Sequence, residues 1–158
     1  MDHKSTLYLK GNRDLLELPK TAFLCSRDIP ASAVLKCYDW AIEQREKGNC
    51  IISGFQSRIE KDVLHYLLQG QQPIIIALAR GLKKHLEPQL QSAYMSSRLL
   101  IVSIFPESII RPTVETSEKR NRMMIETADE TVLGYVNPKG TLAQLMAEYE
   151  GSKKMIIL

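Results

Sequence analysis

The run Ile74-Ile75-Ile76-Ala77-Leu78 decides the fold, because five consecutive apolar residues leave this segment without a polar face. Such a short, uniformly apolar run is typical of a strand that is buried on both faces of a parallel sheet. The chain contains further runs of the same kind at residues 22–25, 50–53, 99–103, 131–136 and 155–158. We therefore predict six buried strands.

Helical patterns separate these runs. The first follows Pro30, and a weaker pattern over residues 82–95 is interrupted by Pro88. A further helix, capped at Thr116 or Ser117, carries Arg120. Glycines that can end the other helices are Gly48, Gly70 and Gly151.

The alternation of strands and helices predicts an α/β fold, with a doubly wound, mostly parallel sheet and helices on both faces, as in extended Rossmann-like proteins. With 158 residues and 44% hydrophobic content, we expect a single domain over residues 1–158. Residues 1–20 are predicted to form an N-terminal arm that packs leucines on the sheet edge. Residues 103–115 are predicted to form a loop that crosses the top of the sheet.

Composition narrows the class of protein. The net charge of +3 is compatible with nucleic acid but does not define a partner by itself. The apolar runs are too short to span a membrane, and the N-terminus lacks a signal-peptide pattern, which together predict a cytoplasmic protein. Three cysteines without CxxC spacing indicate buried thiols rather than disulfides or a zinc site: Cys25, Cys37 and Cys50.

The sequence predicts no catalysis and no cofactor. It contains no nucleophile elbow, Walker A motif or dinucleotide-binding fingerprint. The three histidines are His3, His65 and His85, and the last two fall in polar, basic stretches. We find no nucleophile–base pair.

Arg120-Asn121-Arg122 is the most informative polar segment. Asn121, Met124, Ile125 and Ala128 share one helix face at positions i, i+3, i+4 and i+7. An inward amide flanked by two guanidinium groups favours an anion or nucleic-acid site. The alternative interpretation is a basic surface cluster in which Asn121 bonds a neighbouring loop.

Several other polar segments follow the predicted strands, and ligands of such sheets bind beyond the carboxyl ends of the strands. These segments offer glycine, hydroxyl groups and fixed positive charge, which together suit a phosphate. Each is also a good turn sequence alone, so only their convergence on one edge favours a site. Phe55 and Tyr135 could stack on bases there. The predicted phosphate- or nucleic-acid-binding residues are Ser26, Arg27, Ser53, Gly54, Phe55, Ser57, Arg58, Arg120, Asn121, Arg122, Lys139, Gly140 and Thr141.

At these loops the chain resembles the DprA/Smf family of DNA-processing proteins. The likeness follows the family's order along nearly the whole chain. Arg120-Asn121-Arg122 matches the family's Arg-Asn-Arg-Ile motif, which is the most specific of the set. The other similar segments are Leu9-Lys10-Gly11-Asn12, Cys25-Ser26-Arg27, Ile52-Ser53-Gly54-Phe55 and Lys139-Gly140-Thr141-Leu142.

The resemblance implies a homodimer that holds single-stranded DNA at this sheet edge and loads a recombinase during natural transformation. The chain also departs from the family pattern. Cys25 replaces the first glycine, and the loop Gly54-Phe55-Gln56-Ser57-Arg58 shifts an arginine by one position. The family's usual accessory domains have no counterpart in this sequence.

Two alternative functions remain open at this point. One is a nucleotide sensor that binds a small phosphorylated ligand in the same place. The other is a phosphoribohydrolase of the lysine-decarboxylase-like (LOG) group, which the sequence 137–144 resembles. In that comparison Gln144 stands where the catalytic carboxylate would be, and an amide cannot act as a general base.

Overall fold

The computed structural model describes residues 6–158. The strands of the sheet are β1 (Tyr8–Gly11), β2 (Lys20–Leu24), β3 (Cys50–Ser53), β4 (Ile74–Leu78), β5 (Leu99–Ser103), β6 (Glu130–Leu133) and β7 (Lys154–Ile157). Their order across the sheet is β1-β5-β4-β3-β2-β6-β7. Among the strands of the described residues, only β1 pairs antiparallel, with β5, and every other neighbouring pair is parallel. The predicted α/β fold with a mostly parallel sheet is confirmed.

Helices cover both faces of the sheet. They are α1 (Ala31–Lys47), α2 (Arg58–Leu68), α3 (Gln91–Met95), α4 (Val114–Thr127) and α5 (Thr141–Tyr149). Trp40, Val63 and Ala93 place α1, α2 and α3 over one apolar cluster. Met124 and Leu145 place α4 and α5 over a second cluster on the opposite face. The central strands are buried on both sides, as their uninterrupted apolar runs require.

Several local predictions differ from the structure. Helix α4 begins at Val114 behind a capping box of Thr113 and Thr116, so its cap lies three or four residues before the predicted caps and Arg120 lies in its second turn. The pattern over residues 82–95 forms only a 3-10 turn at Pro88–Leu90 and the short helix α3. Strand β6 covers Glu130–Leu133 and therefore ends three residues before residue 136, the predicted end.

The N-terminal segment adds an edge strand to the sheet. Tyr8–Gly11 adds a hydrogen-bonded strand to the edge beside β5, and Leu15 in the following 3-10 turn is buried. Leu7 and Leu18 are exposed. Residues 1–5 of the predicted arm, including His3, lie outside the described part of the chain. Between residues 6 and 158, no helix is long and apolar enough to cross a membrane.

Candidate functional site

The strand order reverses between β2 and β6. After β2 the chain enters α1 on one face, and after β6 it enters α5 on the other. The two connections diverge and leave a crevice at the carboxyl ends of the strands, where doubly wound sheets bind ligands. A cavity of about 630 Å³, hereafter the cleft, occupies this crevice. Of the predicted site residues, it brings together Ser26, Arg27, Ser57, Arg120, Asn121, Gly140 and Thr141.

Ser26 joins the two sides of the cleft. Its backbone N–H donates to the carbonyl of Tyr135 at 2.9 Å, and its hydroxyl oxygen accepts from the N–H of Asn137 at 2.9 Å. A hydroxyl that accepts one hydrogen bond keeps its own hydrogen free to donate. Ser26 therefore fixes the loop after β6 and can still contact a ligand oxygen.

The N-terminus of α5 opens into the cleft without a side-chain cap. Its N-cap residue is Gly140, which has no side chain with which to form a capping hydrogen bond. The turn before it is closed internally, since the N–H of Gly140 donates to Asn137 at 2.9 Å. The N–H groups of the first helical turn, beginning at Thr141, are therefore available to an anion.

The N-terminus of α2, by contrast, is already occupied. One carboxylate oxygen of Glu60 accepts from the backbone N–H groups of Gln56 and Ser57, at 3.0 and 3.1 Å. The hydroxyl oxygen of Ser57 in turn accepts a hydrogen bond from the backbone N–H of Glu60, and the two contacts form a capping box. A negative side chain stands where a phosphate would bind, so this helix end is not a free anion site.

Arg120 is a buried clamp between three segments, and only 5% of it is exposed. Its guanidinium donates to the carbonyl of Ala77 at 3.0 Å and to the side-chain oxygen of Gln56 at 3.2 Å. Its Nε donates to Asn121 at 2.8 Å. Burial lowers the pKa of Arg120, and the carboxylate of Glu60 opposes that shift. The predicted inward amide of Asn121 thus serves to orient the arginine at the cleft wall.

Three other predicted cations do not line the cleft. Arg122 forms a bidentate ion pair with Glu148 of α5. That hydrogen-bonded pair raises the pKa of Arg122 and lowers the pKa of Glu148. Arg58 projects into solvent, 3.9 Å from Asp62, and Lys139 lies in the exposed turn before α5.

The segment after β3 has a structural role and faces another cavity. Ser53 is fully buried, and its hydroxyl donates to the carbonyl of Phe23 at 2.9 Å. Gly54 packs beneath the guanidinium of Arg120. Phe55 adopts a left-handed backbone conformation, with φ of 48°, and is 5% exposed. Gly54 and Phe55 line a second cavity on the far side of Arg120.

The cleft is less positive than the sequence predicts. Arg27 and Arg120 line it, but so do the carboxylates Asp28, Glu60 and Glu118. The positive charge expected from five cations is therefore not gathered in the cleft. Within it, Arg27 is the exposed cation, because Arg120 is buried and committed to neighbouring groups.

Cys25 replaces the glycine of the family motif and lies against the cleft floor. A side chain at Gly134 would stand 2.5 Å from the sulfur of Cys37 and 3.2 Å from that of Cys25, so both thiols are packed over this glycine. A hydrogen bond with Cys37 and burial raise the pKa of Cys25. Cys25 is consequently a neutral, space-filling thiol.

Sequence reasoning missed several residues of the cleft. Glu60 was readable, since Ser57 followed three residues later by a glutamate is a capping box. Asn137 was readable from its turn with Pro138. Asp28 was readable as well, since it directly follows Arg27 after β2. Glu118 carries no sequence signal, because only the crossing of α4 over the sheet brings it to the cleft. The additional lining residues are Leu24, Cys25, Asp28, Gln56, Glu60, Pro112, Thr113, Val114, Ser117, Glu118, Asn137, Leu142 and Leu145.

Comparisons with known proteins identify a matching family and similar folds. A family model described as DNA recombination-mediator protein A matches residues 1–157. The structure of DNA processing protein A (DprA) from Streptococcus pneumoniae is similar with a TM-score of 0.74 and 21% identity, over 96% of this chain and 54% of that one. No curated protein matches this sequence significantly.

A Helicobacter pylori DprA structure, which describes a single-stranded DNA binding mode, is equally similar. It has a TM-score of 0.74 and 21% identity, over 96% of this chain and 70% of that one. The molybdenum cofactor binding protein of Rippkaea orientalis has a TM-score of 0.60 at 11% identity, over 88% of this chain and 75% of that one. At these identities the likenesses show the fold alone. The chain spans about half of the S. pneumoniae protein.

Proposed function

The chain belongs to the DNA recombination-mediator protein A family, and we propose that it binds single-stranded DNA at the cleft without catalysing a reaction. The described function of the H. pylori relative supports this ligand. The family match over residues 1–157 supports carrying it to this chain. Under this proposal the cleft holds a phosphate of the strand.

The open N-terminus of α5 is the observation that carries the proposal. Gly140 leaves the first-turn N–H groups uncapped at the point where the strand order reverses. The hydroxyl of Ser26 faces the same space, and Arg27 adds an exposed positive charge. Backbone N–H groups, a hydroxyl and a guanidinium are a suitable donor set for one phosphate.

The arrangement gives little support to an enzyme. Gln144, which occupies the carboxylate position of the LOG-type motif, is exposed and does not line the cleft. Among the carboxylates that do line it, Glu60 already accepts two backbone hydrogen bonds. His65 and His85 are exposed and line other surfaces. We therefore propose binding rather than hydrolysis.

A small phosphorylated ligand is the second candidate, and the charge of the cleft favours it. Asp28 and Glu118 line the cleft together with Arg27, so a long polyanion would meet repulsion on leaving the phosphate position. A volume of about 630 Å³ is in the range of small-molecule sites. A mononucleotide would then saturate the site alone.

Three further properties extend the proposal through the family. They are a homodimer, a recombinase as protein partner, and a part in natural transformation in the cytoplasm. Each rests on the family match. None is needed for the binding experiment below.

The test is fluorescence anisotropy of a labelled single-stranded oligonucleotide, titrated over a range of salt concentrations and competed with AMP. Binding should weaken steeply with salt, because phosphate contacts release counterions. Arg27→Ala should weaken binding and reduce the salt slope by about one. Affinity should also rise with oligonucleotide length.

Arg58→Ala is the matched control, because Arg58 is an exposed arginine near the same sheet edge but outside the cleft. It should leave affinity nearly unchanged. Equal losses in both variants would assign binding to general surface charge and contradict the cleft. Complete displacement by AMP, with no effect of strand length, would select the small-ligand function instead.

A further inference from the structure

Two of the three cysteines meet between β2 and α1. Cys25 directly follows β2, and Cys37 lies in the second turn of α1. A Cβ on Gly134 would stand 2.5 Å from the sulfur of Cys37 and 3.2 Å from that of Cys25, so the two sulfurs flank one point. Their contact also lowers the pKa of Cys37 and raises the pKa of Cys25. The third cysteine, Cys50, packs in the core cluster on the opposite face of the sheet.

The two thiols differ in their access to solvent. Cys25 lines the cleft and is 8% exposed, whereas Cys37 is completely buried behind it. A small oxidant that enters the cleft therefore meets Cys25 first. A thiol that an oxidant can reach, with a second thiol beside it, is the arrangement in which oxidation ends in a disulfide.

Cys25 is connected to the wall of the cleft through Ser26. The thiol of Cys25 donates to the carbonyl of Ser26 at 3.4 Å, and the hydroxyl of Ser26 accepts from the N–H of Asn137. A disulfide bond is about 2.0 Å long, which is much shorter than a contact between two thiols. Forming the bond must therefore draw Cys25 toward α1, remove its hydrogen bond to Ser26 and disturb the link to Asn137.

We propose that Cys25 and Cys37 form a reversible disulfide when hydrogen peroxide enters the cleft, and that this disulfide weakens ligand binding there. The effect on binding rests on the proposed function, whereas the disulfide itself does not. Because Cys25 is a neutral thiol at rest, we expect the reaction to be slow.

The reaction takes two steps. In the first, the sulfur of Cys25 attacks one oxygen of the peroxide: an S–O bond forms, the O–O bond breaks, and the departing hydroxide leaves as water with the proton of the thiol. In the second, the sulfur of Cys37 attacks the sulfur of Cys25: the S–S bond forms, the S–O bond breaks, and a second water leaves with the proton of Cys37. The two thiols are oxidised and the peroxide is reduced. An excess of a small thiol reverses the bond by exchange.

Peptide mapping identifies the disulfide directly. Protein treated with hydrogen peroxide is alkylated and digested with trypsin without reduction. Trypsin places Cys25 and Cys37 on separate peptides, residues 21–27 and 37–45, and neither contains a methionine that peroxide would oxidise. We expect these two peptides to be joined, with the mass of the pair less two hydrogen atoms, and to separate on addition of dithiothreitol.

Trp40 gives a second readout that requires no ligand. It is the single tryptophan, it lies one turn after Cys37 on α1, and it stacks on Phe23 with 4.9 Å between the ring centroids. A disulfide quenches the fluorescence of a nearby indole, so emission should fall on oxidation and return with dithiothreitol. Cys25→Ala and Cys37→Ala should each abolish this response. Cys50→Ala is the matched control and should respond as the wild type does.

Fluorescence anisotropy with a single-stranded oligonucleotide then measures the effect on the cleft. Oxidised wild type and oxidised Cys50→Ala should bind about threefold to tenfold more weakly than their reduced forms, which corresponds to the loss of one hydrogen bond. The affinity of Cys25→Ala should not respond to peroxide. Urea unfolding shows that each variant is folded, and Cys25→Ala is the milder of the two single changes because it lies at the surface of the cleft.

The outcomes separate this proposal from the proposed function. If no linked peptide forms, or if the link involves Cys50 or joins two chains, the disulfide is overturned. If the disulfide forms but the affinity of the oxidised protein equals that of the reduced protein, its effect on the cleft is overturned. If the reduced protein binds no oligonucleotide, the proposed function fails together with the effect on binding, and the linked peptide and the Trp40 fluorescence still decide the disulfide.

Discussion

The guanidinium of Arg120 occupies the space where a side chain on Gly54 would stand. A Cβ at Gly54 would overlap Nη1 and lie 2.5 Å from Cζ. The same guanidinium donates to the carbonyl of Ala77 at the end of β4. Helix α4 is therefore fixed to the ends of β3 and β4 at once, and the two motifs Ser53-Gly54 and Arg120-Asn121-Arg122 form one packing unit.

Gly54→Ala should destabilise the protein by about 1–3 kcal/mol, the usual cost of adding a methyl group to a closely packed position. The arginine cannot simply rotate away, because three hydrogen bonds hold it. Urea denaturation measures the loss. Gly140→Ala is the control, since its added Cβ would stand 3.4 Å from the nearest atom, in Asn137. Equal unfolding free energies for the two variants would contradict this contact.

Arg120→Lys should cost at least about 1.5–3 kcal/mol of stability, because an ammonium group cannot replace the hydrogen bonds of a planar guanidinium. Arg122→Lys should leave the denaturation midpoint near that of the wild type, since its pair with Glu148 is on the surface. Denaturant unfolding of the two variants checks the contrast. A similar loss for both would mean that Arg120 is not the clamp described above.

The greater stability loss expected at Arg120 than at Arg122 also affects the choice of variants for binding experiments. Removing Arg120 and Arg122 together would combine a loss of stability with a loss of charge. Arg27→Ala avoids the problem, because Arg27 is exposed.

The strands were predictable because a buried parallel strand needs no partner to be recognised: Ile74–Leu78 is apolar throughout. Strand β1 was not, since Tyr8–Gly11 is short, half-buried and defined by its pairing with β5, about 90 residues away. The start of α4 was missed because Thr113 and Thr116 are both good caps, and the capping box decides between them.

The convergence of several predicted site residues on one cleft was predictable, whereas their individual contacts were less so. The carboxyl edge follows from the topology, which placed Ser26 and Gly140 together. The burial of Arg120 depends on the carbonyl of Ala77, which is 43 positions away in sequence. No local pattern encodes that contact. No sequence motif predicts the second cavity, because its lining residues come from a loop, a helix face and the end of β4.

Ser26→Ala should weaken the link between the two loops of the cleft. The N–H of Asn137 would lose its acceptor at 2.9 Å, for an expected cost of about 0.5–1.5 kcal/mol in unfolding free energy. Binding of single-stranded DNA should weaken as well, because the turn before α5 is held by this contact. Ser32→Ala, on the exposed start of α1, is the control. Unchanged affinity in a destabilised Ser26→Ala protein would separate the structural role from binding.

The contact between α1 and α2 should make stability depend on alkaline pH. The hydroxyl of Tyr38 donates to the carboxylate of Asp62 at 2.6 Å, and this hydrogen bond raises the pKa of Tyr38 to about 12. The folded protein therefore favours the neutral phenol. Its contribution to stability is complete below the ordinary tyrosine pKa of about 10 and is lost as pH rises toward about 12.

Ultraviolet titration of phenolate absorbance measures this pKa directly. One tyrosine should titrate near pH 12 in the wild type, and Tyr38→Phe should remove that step. Tyr149, whose pKa burial also raises, keeps its own late titration in that variant. Asp62→Asn should return Tyr38 toward an ordinary pKa, because the charged acceptor is lost. Tyr94→Phe, a partly exposed position, should leave the late steps in place. Identical titration curves for the wild type and Tyr38→Phe above pH 11 would show that Tyr38 and Asp62 do not form this hydrogen bond.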